Sequence, residues 1–316
     1  MKDKAESFHG LLLVDKPQGI TSHDVVSQIR RKLKTKEVGH CGTLDPLATG
    51  LMVVLLGEAT KLSQFVLEQD KRYIVKFKLG ITTDTWDTSG KIITEKSQID
   101  VRLDEVLSAA QQLTGIKLLS VPVYSAIKID GQKLYEKARK DENANLIETP
   151  LREMDFKVVK YLSGGVRTLN EYEFDITCSK GSYIRTWVNE MGKLLGTGAT
   201  MSALRRISSI PFSVEQALPL DTKGEDLVNL ILSEKSFIPL KKTLPHFKVV
   251  RVKNMSETLI RNGQISHELK RVMISIFNPE IDSGIKVMTM FPEQLVALVI
   301  FDKTKGLIVR RVFKPF

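Results

Sequence analysis

Gly39-His40-Cys41-Gly42-Thr43-Leu44-Asp45-Pro46-Leu47-Ala48-Thr49-Gly50 sets one carboxylate among three glycines and a proline, directly ahead of the apolar run Leu51-Met52-Val53-Val54-Leu55-Leu56. Glycine permits backbone angles that side chains resist, Pro46 steers Asp45 away from the helical region, and the apolar run reads as a buried strand. The stretch is therefore a stiff loop anchored in the core and presenting Asp45. For an isolated Asp-Pro the ordinary role is turn chemistry, the carboxylate capping nearby amides. Whether Asp45 does more depends on its company elsewhere in the chain.

Upstream, Leu11-Leu12-Leu13-Val14 reads as a strand ended by the turn cluster Asp15-Lys16-Pro17-Gln18-Gly19. Thr21 or Ser22 can cap a helix in which Val25, Val26, Ile29 and Leu33 recur at helical spacing. Its end is basic through Arg30, Arg31, Lys32, Lys34 and Lys36, a solvated face or a place to hold phosphates. Downstream, residues 58–69 read as a helix, 73–79 as an alternating strand opened by Tyr73, 82–90 as a polar surface loop, and 97–114 as a helix. Residues 121–140 read as a strand, an Asp-Gly turn and a short helix, with Tyr124 and Tyr135 among cations. That mixture suits unstacked RNA bases and equally suits a half-buried hairpin. A polar loop is expected over 141–148.

Residues 171–178 alternate as a strand and run into a helix starting at Ile184, with Trp187, Val188, Met191 and Leu195 on its apolar face. Arg185 falls in the first turn, where the helix dipole disfavours a cation by up to about 1 kcal/mol, so its placement suggests a partner anion. Leu204-Arg205-Arg206 precedes a further apolar stretch. Beyond Pro245, apolar runs at 247–250, 272–277, 294–300 and 307–312 read as short strands of a small all-β module.

The chain has 316 residues, 42% hydrophobic and 27% charged, with a formal net charge of +10. That length suits one large core plus a smaller domain, with the division expected between 1–244 and 245–316. The positive charge favours a polyanionic partner. Cys41 and Cys178 show no paired spacing, and with five scattered histidines they do not make a metal site. No apolar run approaches the roughly 20 residues of a bilayer span, and the first residues lack the apolar core of a signal peptide, so a cytoplasmic protein without membrane contact is expected.

Several stretches, in order over residues 8–212, resemble the TruB family of tRNA pseudouridine-55 synthases. They are Leu13-Val14-Asp15-Lys16-Pro17-Gln18-Gly19, the Gly-His-x-Gly-x-Leu-Asp-Pro loop, Asp70-Lys71-Arg72-Tyr73, Tyr124-Ser125-Ala126 through Gly131 to Tyr135 with Ala138-Arg139, and Lys180-Gly181-Ser182-Tyr183-Ile184-Arg185-Thr186. Cys41 and Ser182 stand where the family more often has Thr, and Val121-Pro122-Val123 where a double proline is more usual. The resemblance implies an α+β fold, a pseudouridine synthase core on a largely antiparallel mixed sheet. A small β-rich PUA-like RNA-binding domain would follow, the weaker match being Leu259-Ile260-Arg261-Asn262-Gly263-Gln264.

It further implies isomerisation of a uridine in the tRNA T-loop, at position 55. The N1–C1′ bond breaks, the base turns and C5 rejoins C1′, with no cofactor and no metal. Asp45 would be the essential carboxylate, either attacking C1′ or removing the C2′ proton. Arg185 would be its charge partner, and Tyr73 would stack on the base and be a candidate for handling the C5 proton. A phenol of ordinary pKa near 10 is a poor base at neutral pH, so that last duty needs a perturbed environment. Tyr183 and Leu204 would wall the pocket and His40 would fill the space left by the flipped nucleotide. Lys16 would contact phosphate or brace the Asp45 loop. The expected partner is the T-loop stem-loop of tRNA, bound by a monomer that requires no protein partner. The rival readings are a non-catalytic RNA-binding or RNA-folding protein, and a related synthase acting on another uridine.

Overall fold

The computed structural model describes residues 8–125, 127–129, 131–134, 148–162, 170–233 and 235–315. The chain opens with strand β1 (Gly10–Lys16), helix α1 (Ser22–Lys32) and the strands β2 (Val38–Cys41) and β3 (Thr49–Leu56) on either side of the Asp45 loop. Thr21 starts α1 with a reciprocal cap: its hydroxyl accepts the Asp24 amide at 3.1 Å and the Asp24 carboxylate accepts the Thr21 amide at 2.9 Å. Val25, Val26 and Ile29 are the buried stripe of α1. The helix expected over 58–69 is instead a 3-10 turn, Gly57–Leu62, followed by the short α2 (Ser63–Leu67).

Next come β4 (Lys71–Leu79), β5 (Ile81–Thr83), β6 (Ile92–Glu95), α3 (Leu103–Gln112) and β7 (Gly115–Ser120). Helix α3 is shorter than the expected 97–114, because the Glu105 carboxylate accepts the Arg102 amide at 2.8 Å and so fixes the helix start there. The small hairpin β8 (Lys128–Ile129) and β9 (Gln132–Lys133) realises part of the Asp-Gly turn; Ala126, Asp130, Tyr135, Ala138, Arg139 and most of the expected 141–148 loop lie outside the described residues. Then follow β10 (Leu151–Tyr161), β11 (Glu171–Cys178), α4 (Ile184–Leu194), β12 (Ala199–Ser209), β13 (Phe212–Ser213), β14 (Leu218–Pro219), α5 (Gly224–Leu232) and β15 (Phe237–Pro239).

Among the described residues these strands build an 11-stranded sheet whose main path runs β14-β1-β3-β12-β4-β11-β10-β7. Only β1 with β14 and β3 with β12 pair in parallel, so the sheet is mixed and largely antiparallel, as expected. Strand β4 lies centrally and turns Tyr73, Val75, Phe77 and Leu79 to one buried face. Phe77 stacks on Tyr172 and Phe174 and meets Trp187 of α4 edge-on at a centroid distance of 5.9 Å. Such aromatic packing explains why α4 lies across the sheet with Trp187, Val188 and Met191 fully buried.

The C-terminal part holds β16 (Lys248–Val252), α6 (Asn254–Arg261), α7 (His267–Ile276), β17 (Ile285–Thr289), β18 (Leu295–Asp302) and β19 (Gly306–Val312). The strands form a four-stranded sheet in the order β16-β17-β18-β19. The all-β expectation is corrected: 272–277 is the end of a helix capped by the Ser266 hydroxyl, which accepts the Leu269 amide at 3.2 Å. Leu269 and Met273, four apart, are its buried residues, while Val272 and Ile274 are exposed, so the apolar run is a helix end rather than an alternating strand.

This module shares a core with the large sheet, where Phe247, Met288, Leu295 and Phe313 pack with Leu11, Leu51, Val53 and Phe65. Across the same contact Lys61 Nζ donates to the Val312 carbonyl at 2.9 Å and Glu58 accepts the Lys314 amide at 2.8 Å.

Truncating Phe77 to alanine should lower the free energy of unfolding by about 3–5 kcal/mol, because it empties a fully buried aromatic site. The same change at Phe291, which is 95% exposed, should stay within about 0.5 kcal/mol. Urea denaturation midpoints of the two variants read the contrast.

Candidate active site

Several carbonyls of the loop between β2 and β3, and of the 17–20 turn beside it, are met by donors from within the protein. Three elements and the turn after β1 supply them. From β1, the fully buried Lys16 sends its ammonium to the carbonyls of Pro17 at 2.9 Å, Ile20 at 2.7 Å and Pro46 at 3.5 Å. The Gly19 amide adds a 2.8 Å bond to Pro46. From α1, the buried Ser22 hydroxyl donates to the Leu44 carbonyl at 3.1 Å and accepts the Leu44 amide at 2.8 Å. From β12, the buried Arg206 donates through Nε to Leu51 at 2.6 Å and through Nη2 to Gly42 at 3.0 Å. Gly42 and Gly50 carry the positive φ values, +82° and +99°, that let the loop close on this arginine.

Asp45 projects from that braced loop onto Arg185 of α4. Arg185 Nη2 donates to Oδ1 at 3.2 Å, and Nε lies 2.9 Å from Oδ2 as an ion pair without the alignment of a hydrogen bond. The guanidinium is buried at 5% exposure while the carboxylate remains 33% exposed, so the pair is closed on the arginine side and open on the aspartate side. Two carbonyls hold the arginine further, Tyr124 at 2.9 Å and Thr85 at 3.1 Å. The partner anion suggested by a cation in the first helical turn is thus Asp45, 140 residues away in the chain.

The other expected site residues gather around this pair to different degrees. Tyr73 and Leu204 are buried in one core with Leu44 and Ala48 of the Asp45 loop, and Tyr183 is packed against the same core. Tyr183 is the residue immediately before α4. Burial pushes the phenols of both Tyr73 and Tyr183 above the ordinary value. The perturbation at Tyr73 is thus opposite to that which a resting base requires, and the group is a neutral phenol. His40 sits on β2 near Arg206 and His23; burial, then those charges, lowers its pKa, and its Nδ1 has no hydrogen-bond partner among the described residues. Of the two roles open to Lys16, the geometry supports the brace and not the phosphate contact, since the ammonium is out of solvent and occupied by carbonyls. The basic end of α1 divides likewise: Arg30 donates to Val38 at 2.8 Å and Lys32 to Thr222 at 2.7 Å, whereas Arg31, Lys34 and Lys36 are exposed.

Two parts of the site escaped the sequence. The 82–90 stretch is no plain surface loop: Thr83 and Asp87 are buried, the Asp87 carboxylate accepts from Thr85 and Ser89, and the Thr85 carbonyl holds Arg185. Its small hydroxyl residues spaced around an aspartate were the available signal, since they bond each other in tight turns. Arg206 is the second; only its position two residues beyond Leu204, on the same inward face of a strand, points to it.

The fold and the braced carboxylate–arginine pair together define a pseudouridine synthase. The chain is similar to solved structures described as a Cbf5-Nop10-Gar1 complex (26% identity, TM-score 0.65, covering 97% of this chain and 84% of that one) and as an H/ACA RNP bound to a substrate RNA containing 2′-deoxyuridine (23%, 0.65, 97% and 86%). Residues 30–184 match the family described as TruB family pseudouridylate synthase, N-terminal domain, a span that includes Asp45 and Tyr73 and ends one residue before Arg185. The chain is 44% identical over 307 residues to tRNA pseudouridine synthase B of Bdellovibrio bacteriovorus, covering 97% of each. It is 45% identical over 232 residues to the protein of the same name in Caldicellulosiruptor saccharolyticus, covering 72% of this chain and 78% of that one. It belongs to the TruB family of pseudouridine synthases, which are isomerases.

Burying ammonium groups has a measurable signature. Desolvation brings Lys16 and Lys71 down from 10.5 to about 8. Between those values the folded chain binds fewer protons than the unfolded one, so both lysines make stability rise with pH through that window. Lys16→Met removes one share. Urea unfolding at about pH 7.5 and about pH 10 should therefore show a smaller rise for Lys16→Met than for the parent, and equal rises would sink the assignment.

Proposed function

We propose that this chain isomerises a uridine in the T-loop of tRNA, position 55, to pseudouridine, with Asp45 as the catalytic carboxylate. The observation that carries this reading is the Asp45–Arg185 pair, braced on the protein side and one-third exposed on the other. Binding RNA alone has no use for a fixed carboxylate at the mouth of a basic site, which is why the binding-only reading is the weaker one. The names of the relatives, each a tRNA pseudouridine synthase B, support tRNA as substrate. The net charge of +10 supports a polyanionic one.

In this reading the target nucleotide leaves its stack at a cost of a few kcal/mol and enters beside Asp45. Tyr73 lies against the base, Tyr183 and Leu204 close the pocket, and His40 occupies the space the nucleotide vacates. The carboxylate either attacks C1′ or removes the C2′ proton. Each route ends the same way: the N1–C1′ bond breaks, the C5–C1′ bond forms, C5 loses its proton and N1 gains one. Substrate and product are isomers, so no oxidant or co-reactant enters. Arg185 holds the carboxylate in place through both bond changes, which is the positioning that such chemistry most needs.

The same reading makes residues 1–244 the catalytic domain and residues 245–316 a PUA-like RNA-binding domain. The separate four-stranded sheet supports a distinct module, and its packing against Leu11, Val53 and Phe65 supports a fixed placement relative to the catalytic sheet. The enzyme works as a cytoplasmic monomer without a protein partner.

Purified parent protein, with nothing added but an unmodified tRNA transcript, should form pseudouridine at the T-loop uridine. Asp45→Asn should form none, a loss of at least about 10³-fold, while still binding tRNA with an affinity that falls as salt rises. Product from Asp45→Asn would remove the catalytic role of that residue. Failure of the parent alone would favour the binding-only reading or a required partner, and modification elsewhere in the transcript would favour a synthase of another uridine.

A further inference from the structure

The sheet register lines up Lys16, Gly50, Arg206 and Tyr73 as successive partners across β1, β3, β12 and β4. Directly opposed residues share a face, with Cβ atoms about 4.5–5.5 Å apart in an antiparallel pair. Arg206 therefore stands beside Tyr73 on one side and beside the Asp45 loop on the other. Gly50 admits it, since a Cβ there would lie 2.3 Å from the Arg206 carbonyl oxygen. Its guanidinium spends Nε and Nη2 on the carbonyls of Leu51 and Gly42, at the two ends of the loop, and as the register partner of Tyr73 it lies near enough to the phenol to favour negative charge there.

We propose that Arg206 is a positioning residue that locks the Tyr73 hydroxyl to the loop carrying Asp45, so that the phenol and the carboxylate face the nucleotide as one rigid unit. The proposal rests on the roles given above to Asp45 and Tyr73. A phenol oxygen that accepts from a guanidinium must point its own proton away from it. Opposite Arg206 that direction is set by the sheet, not by solvent. If negative charge grows on the oxygen as C5 loses its proton, the cation is already in place and nothing has to reorganise. A planar fork is needed to reach two carbonyls and a hydroxyl together, which an ammonium at the end of a lysine stem does not reproduce.

The test is a double-mutant cycle with Arg206→Lys and Tyr73→Phe, reading the single-turnover rate of pseudouridine formation on an unmodified tRNA transcript and, separately, the dissociation constant for that tRNA. Arg206→Lys should slow the single-turnover rate by about 10- to 100-fold, the loss of one charge-assisted bond, and leave tRNA affinity within about threefold. In the Tyr73→Phe background the same substitution should cost at least about threefold less than in the parent, the remaining loss being that of the brace to the Leu51 and Gly42 carbonyls. Multiplicative losses, a parental rate for Arg206→Lys, or a parental rate for Tyr73→Phe would each overturn the proposal while leaving Asp45 in its role. Activity in Asp45→Asn would overturn both readings together. If circular dichroism shows Arg206→Lys unfolded, parent protein labelled with 13Cζ-tyrosine and 15N-arginine gives the answer by NMR: a through-space contact between the Tyr73 hydroxyl and the Arg206 guanidinium supports the lock, and its absence overturns it.

Discussion

A carbonyl that a loop turns into a core must find a donor, and this requirement shapes much of what surrounds Asp45. Amides and hydroxyls meet part of it through Gly19 and Ser22. Cations meet a further part. Lys16 and Arg206 approach from opposite sides, on strands β1 and β12 that both pair with β3, and each spends its charge on backbone oxygens. A bond from a charged donor is roughly twice as strong as a neutral one, but it carries the cost of taking that charge out of water. The lowered pKa of Lys16 is the visible trace of that cost. A chain selected for stability alone would fill these positions with apolar residues; rigidity at one carboxylate is what the cations provide instead.

The Asp45–Arg185 pair extends the same logic from the loop to the helix that faces it. Arg185 is buried, so losing the Asp45 charge would strand its cation, and the pair thereby ties α4 to the loop. Arg185 is also tied to the Thr85 and Tyr124 carbonyls, which recruits two further loops to the site. Four segments far apart in the chain thus meet at one guanidinium. The large sheet makes that meeting possible: β4, β12 and β3 are neighbours, so Tyr73, Leu204 and the Asp45 loop arrive on one face without any of them lying close in sequence.

How much of this was legible follows from range. The buried run of β3, the capped helix α1 and the amphipathic α4 are set by local periodicity and capping, and each was readable from its own residues. Arg185 could be singled out because a cation at a helix N-terminus is locally unfavourable and so announces a partner. Which anion it meets depends on sheet order, a long-range fact that no window of sequence contains. The 82–90 stretch was misread for a related reason: its polar residues satisfy one another and the site, and polarity alone looks like solvent exposure. Helix α7 was misread as a strand because a continuous apolar run carries no period, and only the buried pair Leu269 and Met273 separates the two readings. Arg206 was hidden because buried cations bonded to carbonyls have no signature in composition.

The electrostatics of the site follow from where its cations find partners. Lys16 and Arg206 are bonded to neutral carbonyls, which fix them without cancelling their charge, and Arg185 faces Asp45 alone at ion-pair distance among the described residues. The neighbourhood of Asp45 is therefore more positive than one carboxylate can offset, inside walls of low dielectric where fields reach further than in water. A phosphate backbone is drawn toward such a site, and the carboxylate that would ordinarily repel it is held back against Arg185. The same positive surroundings make a neutral phenol at Tyr73 the more informative observation. Burial outweighs the nearby guanidinium in the resting protein, so in the proposed reaction the base of a uridine would meet an uncharged ring. Charge on that oxygen would be tolerated only once the reaction places it there, which is the condition under which a prearranged cation favours the transition state over the bound substrate.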